Sequence, residues 1–126
     1  MSIFPVFFSY NAIKKAVTDD GYTYYTAEED NDLCGYLGIH DEGDGVIFIS
    51  KVYVRSDKRR MGIATQLLER LKTDYPAAKK WYLTVNKYNY GSIAVYEKRG
   101  FKKVEDLVTD IGNGFIMDDY VMEKEL

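Results

Sequence analysis

Hydrophobic and polar positions change period several times along the 126-residue chain. Ile3 to Phe8 is a short apolar run of strand length. Over Asn11–Thr18, Ala12, Ile13, Ala16 and Val17 fall at helical spacing and predict a short helix. Asp20-Gly21 is a turn signal. Tyr22–Ala27 is aromatic and β-branched, and Leu33–His40 reads as its return strand across the acid-rich turn Glu28–Asp32. After a second turn at Asp41–Gly45 comes a long strand, Val46–Val54 (VIFISKVYV). From Gly62 the apolar residues Ile63, Leu67, Leu68 and Leu71 lie on one face of a helix, which Pro76 closes. Trp81–Val85 is a strand and Asn89–Arg99 a second helix. Gly100 stands where a left-handed C-cap is wanted, with Phe101 as its hydrophobic contact. Two closing strands, Glu105–Ile111 and Met117–Lys124, flank the turn Gly112-Asn113-Gly114.

The order is a run of antiparallel strands, then strand, helix, strand, helix and strands. It predicts an α/β (α+β) fold with helices against a mixed sheet. Val46–Val54, the helix after it and Trp81–Val85 make a β-α-β unit, expected to be right-handed with parallel strands. The length suits a single domain over 1–126 with a core that needs neither metal nor disulfide. The one cysteine, Cys34, excludes an intrachain disulfide and reads as a small buried hydrophobe. The N-terminal MSIFPVFF has no basic residue ahead of its apolar run and is too short to span a membrane. A cytoplasmic protein without a membrane partner is therefore expected.

Charge is unevenly spread. Asp19–Asp44 holds nine acids and no Lys or Arg. Lys51–Lys72 holds seven bases against Asp57 and Glu69, and Glu105–Leu126 holds seven acids against Lys124. The basic stretch suits a compact anion and the acidic stretches a cation. A pI near 5.2 and the lack of an RNA-binding motif speak against a nucleic-acid partner.

The stretch RRMGIATQLLERL, Arg59–Leu71, sharpens this. A helix N-terminus carries partial positive charge and favours acids or a Ser/Thr cap. Here it is entered through two arginines. Its first amides have no internal partner, and Gly62 removes a Cβ from their surroundings. Arg59, Arg60, Met61, Gly62, Ile63 and Ala64 would present successive N–H groups, and Thr65 a hydroxyl, to a phosphate or pyrophosphate. Neither GxxxxGK[ST] nor GxGxxG is present.

The spacing Arg59-x-x-Gly62-x-Ala64, after a strand ending KVYV, resembles the [QR]-x-x-G-x-[GA] loop of GNAT-type N-acetyltransferases. A second block, Asn89-Tyr90-Gly91-Ser92 with Tyr96 to Phe101, resembles that family's N-x-x-[AS]-x-x-x-Y-x-x-x-G-F segment. Together the two cover about Ser50–Val104, and the closing DDYVMEKEL is similar to the family's last strand. The resemblance implies a mostly antiparallel twisted sheet of about six or seven strands flanked by about three or four helices. Its central parallel pair would be splayed by acetyl-CoA, the co-substrate, and no metal is implied. Val52, Tyr53 and Val54 would offer backbone groups to the pantetheine arm. Arg59–Ala64 with Thr65 would hold the pyrophosphate, and Asn89 and Ser92 would touch the cofactor. Tyr96 would protonate the leaving thiolate, and the backbone N–H of Val52 would stabilise the oxyanion. Homodimers are common among such proteins, so a homodimer is expected.

A base to deprotonate the acceptor ammonium is harder to place. Relatives of this kind often carry it on the strand matching Val46–Val54, which has no acid here. Glu28, Glu29, Asp118 and Asp119 are the candidates, with Glu28 and Asp119 preferred, and His40 is a further titratable group. The acidic segments point to a cationic acceptor, a small molecule or a protein amine. The alternative is a non-catalytic acyl-CoA-binding or regulatory domain on the same fold.

Overall fold

The computed structural model describes residues 12–59 and 62–126. The Ile3–Phe8 run, Arg60 and Met61 lie outside the described residues. Seven strands form one mixed sheet: β1 (Ala12–Val17), β2 (Tyr22–Glu29), β3 (Asp32–Gly43), β4 (Val46–Val54), β5 (Lys80–Asn86), β6 (Lys102–Gly112) and β7 (Phe115–Glu125), in the order β1-β2-β3-β4-β5-β7-β6. The described residues also form two α-helices, α1 (Ile63–Asp74) and α2 (Tyr90–Lys98), and a 3-10 turn at Ser56–Lys58. Strands β4 and β5 are parallel, as the β-α-β reading requires. No described helix is long and apolar enough to cross a membrane.

One expected element differs. Ala12–Val17 is a strand, antiparallel to β2 from Ala12↔Glu28 to Val17↔Thr23. Its helical spacing has no helix-shaped surface to bury: Ile13 is half-buried and Lys14 to Val17 are exposed. So short a segment cannot hold a helix by its own bonds, whereas the open edge of β2 offers a full ladder. Lys14 adds an ion pair to Glu28 at 3.1 Å.

Two compact units share β4. The first holds β1, β2, most of β3, α1 and β4 from Ile49; the second is Glu42–Phe48 with Ala78–Leu126. In the first unit the strands alternate cleanly. Thr23, Tyr25 and Ala27 are buried on one face of β2, with Leu37 and Ile39 of β3 beside them in register. Helix α1 packs on β2 and buries Ile63, Leu67 and Leu71. Burial of each such side chain is worth roughly 1.5–3 kcal/mol. Gly35 allows a close approach: a Cβ there would lie 2.7 Å from the Tyr53 carbonyl oxygen and 3.1 Å from Ile63 Cγ2. The missing side chain lets the start of α1 sit directly over β3.

The far end of α1 is fixed by a polar network. The fully buried Tyr25 donates its hydroxyl to Asp74 at 2.8 Å. Arg70 donates to the same carboxylate at 3.1 Å, and Lys15 lies 3.7 Å from it. The Tyr25 hydrogen bond and the Arg70 guanidinium hold the Asp74 carboxyl below the ordinary aspartate value. Burial and Asp74 together push the Tyr25 phenol well up.

In the second unit, Ile47, Trp81, Leu83, Val85, Ile93, Phe101 and Met122 are buried. β5 pairs with β7 from Lys80↔Glu125 to Asn86↔Asp119, and β7 with β6. The β6–β7 turn is a two-residue loop, Asn113-Gly114, with φ of 54° and 79°. Positive φ at both central residues suits the twist of a hairpin.

Tyr25→Phe removes a buried hydroxyl and leaves Asp74 with weaker support. We expect a loss of about 1–2 kcal/mol in urea unfolding at neutral pH. Because the folded pKa of Asp74 is depressed, its stabilisation is present above the unfolded value of 3.8. It is lost as pH falls through the lower folded value. The gap between Tyr25→Phe and wild type therefore narrows in strong acid. An equal gap at pH 7 and pH 2 would refute the coupling.

Candidate functional site

The first unit brings the expected loop together around a fault in β4. Gly38 and Tyr36 lie two apart on β3, so they share a face. Ser50 Oγ donates to the Gly38 carbonyl at 3.1 Å and sits beside the place of its absent Cβ. The Tyr53 ring packs on the Tyr36 ring with centroids 5.3 Å apart. Ser50 and Tyr53 are three apart, and in a regular strand they would face opposite ways. Strand β4 therefore departs from regular alternation between Ser50 and Tyr53, as a bulged strand does. Bulges bend a strand and leave backbone groups out of the ladder. Within the second unit, Val46 to Phe48 of β4 pair in parallel with Lys80 to Tyr82 of β5. Val52 and Val54 are half-buried and Tyr53 is exposed.

After β4 the chain closes a small loop. Lys58 N–H donates to the Arg55 carbonyl at 2.9 Å, and Arg59 Nε to the Val54 carbonyl at 3.3 Å. Gly62 follows in the left-handed region with φ of 82° and caps α1 without a side chain. No acid occupies the first turn of α1. Gln66 N–H donates to the Gly62 carbonyl at 2.9 Å, and the amides of Ile63 and Ala64 stand before it at the helix start. A Cβ on Gly62 would meet nothing within 4 Å. The backbone at the helix entrance is thus open to a close-fitting anion.

The basic stretch is less positive than its count. Arg55 grips Asp57 through two bonds, 2.6 and 3.3 Å long, and Lys58 Nζ lies 2.6 Å from Glu29 Oε1 on the β2–β3 hairpin. Arg70 is spent on Asp74. Arg59 has no carboxylate partner among the described residues, so its charge stays available beside the helix entrance.

The second unit holds the second block. The Asn89 side chain accepts from the Ser92 N–H at 3.2 Å and so caps α2. This gives Asn89 a structural duty beside the expected contact with a cofactor. At the other end, Gly100 has φ of 97°, Gly100 N–H donates to the Glu97 carbonyl and Phe101 N–H to the Tyr96 carbonyl, each at 3.0 Å. This is a Schellman cap, whose accompanying apolar contact joins the third-last helical residue to the residue after the glycine. Here that contact is Tyr96 against Phe101, edge-on with centroids 5.7 Å apart. The Y-x-x-x-G-F spacing therefore has a mechanical meaning: the cap seats the Tyr96 ring. Tyr96 is half-buried, and desolvation raises its phenol above the ordinary 10.0, against a smaller opposing effect of Arg99.

The base candidates separate clearly. Glu28 pairs with Lys14 and Glu29 with Lys58. Asp118 Oδ1 lies 2.7 Å from Lys87 Nζ. Asp119 is 6% exposed, carries no ion pair among the described residues, and faces Asn86 in register at the end of β5. His40 packs its ring on Tyr22, 4.9 Å away. The β4 irregularity and the Lys58–Glu29 clasp had no sequence signal, because neither period nor spacing ties residues on different strands.

A family model, acetyltransferase (GNAT) family, matches residues 4–101. The chain belongs to that family of acetyltransferases. It is 36% identical to an N-alpha-acetyltransferase of Saccharolobus solfataricus, over 84% of this chain and 71% of that protein. The IAA acetyltransferase from Bacillus cereus shares the fold at a TM-score of 0.71 with 15% identity, covering 91% of this chain and 99% of that one. A GNAT family acetyltransferase from Elizabethkingia anophelis with acetyl-CoA bound does so at 0.68 with 21% identity, covering 85% and 78%. The chain is an N-acetyltransferase by family.

Gly100→Ala tests the cap. Its Cβ would meet only the Lys124 side chain, at 3.5 Å, so the penalty comes from φ of 97°. We expect a loss of about 1 kcal/mol and a Tm lower by a few degrees. An unchanged Tm in a thermal melt would show that the left-handed cap is not required.

Proposed function

We propose that this chain moves the acetyl group of acetyl-CoA directly to a primary amine, with Tyr96 as general acid. The observation that carries the reading is the seating of Tyr96 by the Schellman cap, with a phenol kept protonated through the physiological range. The amine nitrogen attacks the thioester carbonyl and a tetrahedral oxyanion forms. It collapses with cleavage of the C–S bond, and the thiolate takes the proton of Tyr96 Oη. A bulged strand supports the oxyanion role of Val52, because a bulge frees backbone N–H groups from the ladder. The uncapped, acid-free entrance of α1, with open space at Gly62 and the charge of Arg59 beside it, supports a pyrophosphate there. Arg60, Met61, Ile63, Ala64 and Thr65 complete that cradle in this reading, and Tyr53, Val54, Asn89 and Ser92 line the remainder of the co-substrate.

Asp119 is the preferred base over Glu28, since Glu28 is held by Lys14 and Asp119 by no cation among the described residues. The acceptor is a cationic small molecule or a protein amine. The name of the archaeal relative, an N-alpha-acetyltransferase, supports an α-amino group at a protein N-terminus.

Tyr96→Phe is expected to lower kcat by about 10²- to 10⁴-fold, with little change in KM for acetyl-CoA. The measurement is thiol release with a saturating amine, and an unchanged kcat removes Tyr96 from the reaction. A panel of peptide N-termini, polyamines and small anionic amines, run on wild type and Asp119→Asn, locates acceptor and base. Cationic acceptors should be favoured. Asp119→Asn should depress the rate most at low pH, where the amine is most fully protonated. A preference for anionic amines, or an unaltered pH profile in Asp119→Asn, contradicts the corresponding assignment.

A further inference from the structure

The turn that leads from β4 towards α1 is tied to the β2–β3 hairpin at three places. Arg55 N–H donates to the Cys34 carbonyl at 2.8 Å, and Arg55 Nη1 to the Leu33 carbonyl at 3.4 Å. Lys58 Nζ donates to Glu29 Oε1 at 2.6 Å, across 29 residues of sequence. The bonds inside the turn are short in range: Lys58 N–H to the Arg55 carbonyl, Arg55 to Asp57, and Arg59 Nε to the Val54 carbonyl. No side chain caps the 3-10 turn Ser56–Lys58. Its shape therefore leans on the hairpin.

The hairpin holds Glu29 in one place. Its loop is the two residues Asp30 and Asn31, with φ of 51° and 69°, and Glu29 faces Asp32 directly across it. Positive φ at both central residues makes a tight turn that matches the twist of the strands. Behind the turn the register shifts: Ala27 faces Gly35 and Glu28 faces Leu33, so Cys34 is passed over. Such a shift bends its strand. Cys34 and Leu33, at that bend, are the residues whose carbonyls take Arg55. The Lys58 and Glu29 side chains are 18% and 26% exposed, so water and salt screen their pair less than one in open solvent.

Lys58 directly precedes Arg59, the cation left at the entrance of α1. A lysine at this place could meet an anion itself, yet it is turned to Glu29. A carboxylate near a site for a polyanion opposes binding by its charge. Its presence there makes sense as mechanics. We infer that Glu29 is a positioning residue: through Lys58 it fixes the turn Arg55–Arg59 in the shape that receives the pyrophosphate of the co-substrate. The inference rests on the reading that this turn and the start of α1 hold that pyrophosphate. It takes Glu29 from the candidate bases and gives it to the co-substrate loop, without contact to the reacting atoms.

Glu29→Gln separates mechanics from charge, because the two act in opposite directions. Removing a negative charge near a polyanion should tighten its binding, whereas loosening the turn should weaken it. With coenzyme A titrated onto the full chain by calorimetry, Glu29→Gln should weaken binding by about fivefold or more. Glu29→Gln with Lys58→Met should bind no more weakly than Lys58→Met alone. Glu29→Lys with Lys58→Glu, which restores the pair in reverse, should bind more tightly than either reversal alone. In Glu29→Gln the KM for acetyl-CoA should rise with kcat at saturation within about threefold. Amide exchange over Arg55–Arg59 should speed up in the ligand-free variant, while its thermal melt stays within a few degrees of wild type. Unchanged or tighter coenzyme A binding in Glu29→Gln overturns the inference, and so does unchanged exchange. A fall in kcat with KM unaltered also overturns it, since Glu29 would then act on the chemistry. Arg59→Ala checks the reading underneath. If it leaves coenzyme A binding intact, the pyrophosphate reading fails and the inference with it. If it weakens binding while Glu29→Gln does not, the inference alone fails.

Discussion

The structure depends on a break in the regular alternation of β4. Ser50 lies against Gly38 and Tyr53 against Tyr36, three steps on one strand matched to two on the next. Such a mismatch is what a bulged strand produces, and it reorients every residue that follows it. The turn at Ser56–Lys58, the Arg59–Val54 bond and the left-handed Gly62 all follow the fault and carry the chain into α1. Gly35 makes the same region possible from the neighbouring strand, because a Cβ there would press on the Tyr53 carbonyl. The entrance of α1 is thus set by backbone geometry on β3 and β4 rather than by its own cap.

The electrostatics follow the same logic. A helix entered through basic residues is unfavourable by itself. The folded chain neutralises the surplus selectively: Asp57 takes Arg55, Glu29 takes Lys58 and Asp74 takes Arg70. Arg59 keeps its charge at the open end of the helix. At the opposite end, the Asp74 network ties the same helix to β1 and β2. Helix α1 is therefore fixed at its far end and left electrically unfinished at the end that would meet a polyanionic co-substrate.

Helix α2 shows how a motif carries mechanics as well as chemistry. Asn89 satisfies the amide of Ser92 at its start. Gly100 and Phe101 close its last turn and lay an aromatic edge against Tyr96. Replacing any of these residues would disturb the tyrosine without touching it. Much of the candidate site was readable for this reason: caps and turn residues act over a few positions and leave short-range spacing in the sequence. The candidates for a base could not be told apart in the sequence. Glu28, Glu29, Asp118 and Asp119 look alike as letters, and burial and ion pairs alone separate them.

What the sequence determined by itself was local. Alternation placed β2 to β7 to within a few residues, and the 3.6-residue period with Gly62 and Pro76 placed α1. Glycine at position 100 placed the end of α2, because few other residues tolerate its φ. The two motifs fixed the family. The tertiary structure decided what depends on partners distant in the chain. It made Ala12–Val17 a strand, because the edge of β2 offered more than six residues of helix could supply. It broke the alternation of β4, paired Lys58 with Glu29, and buried Asp119. Period and spacing report only what a residue's near neighbours require, whereas these features arise from strands that meet only once the chain has folded.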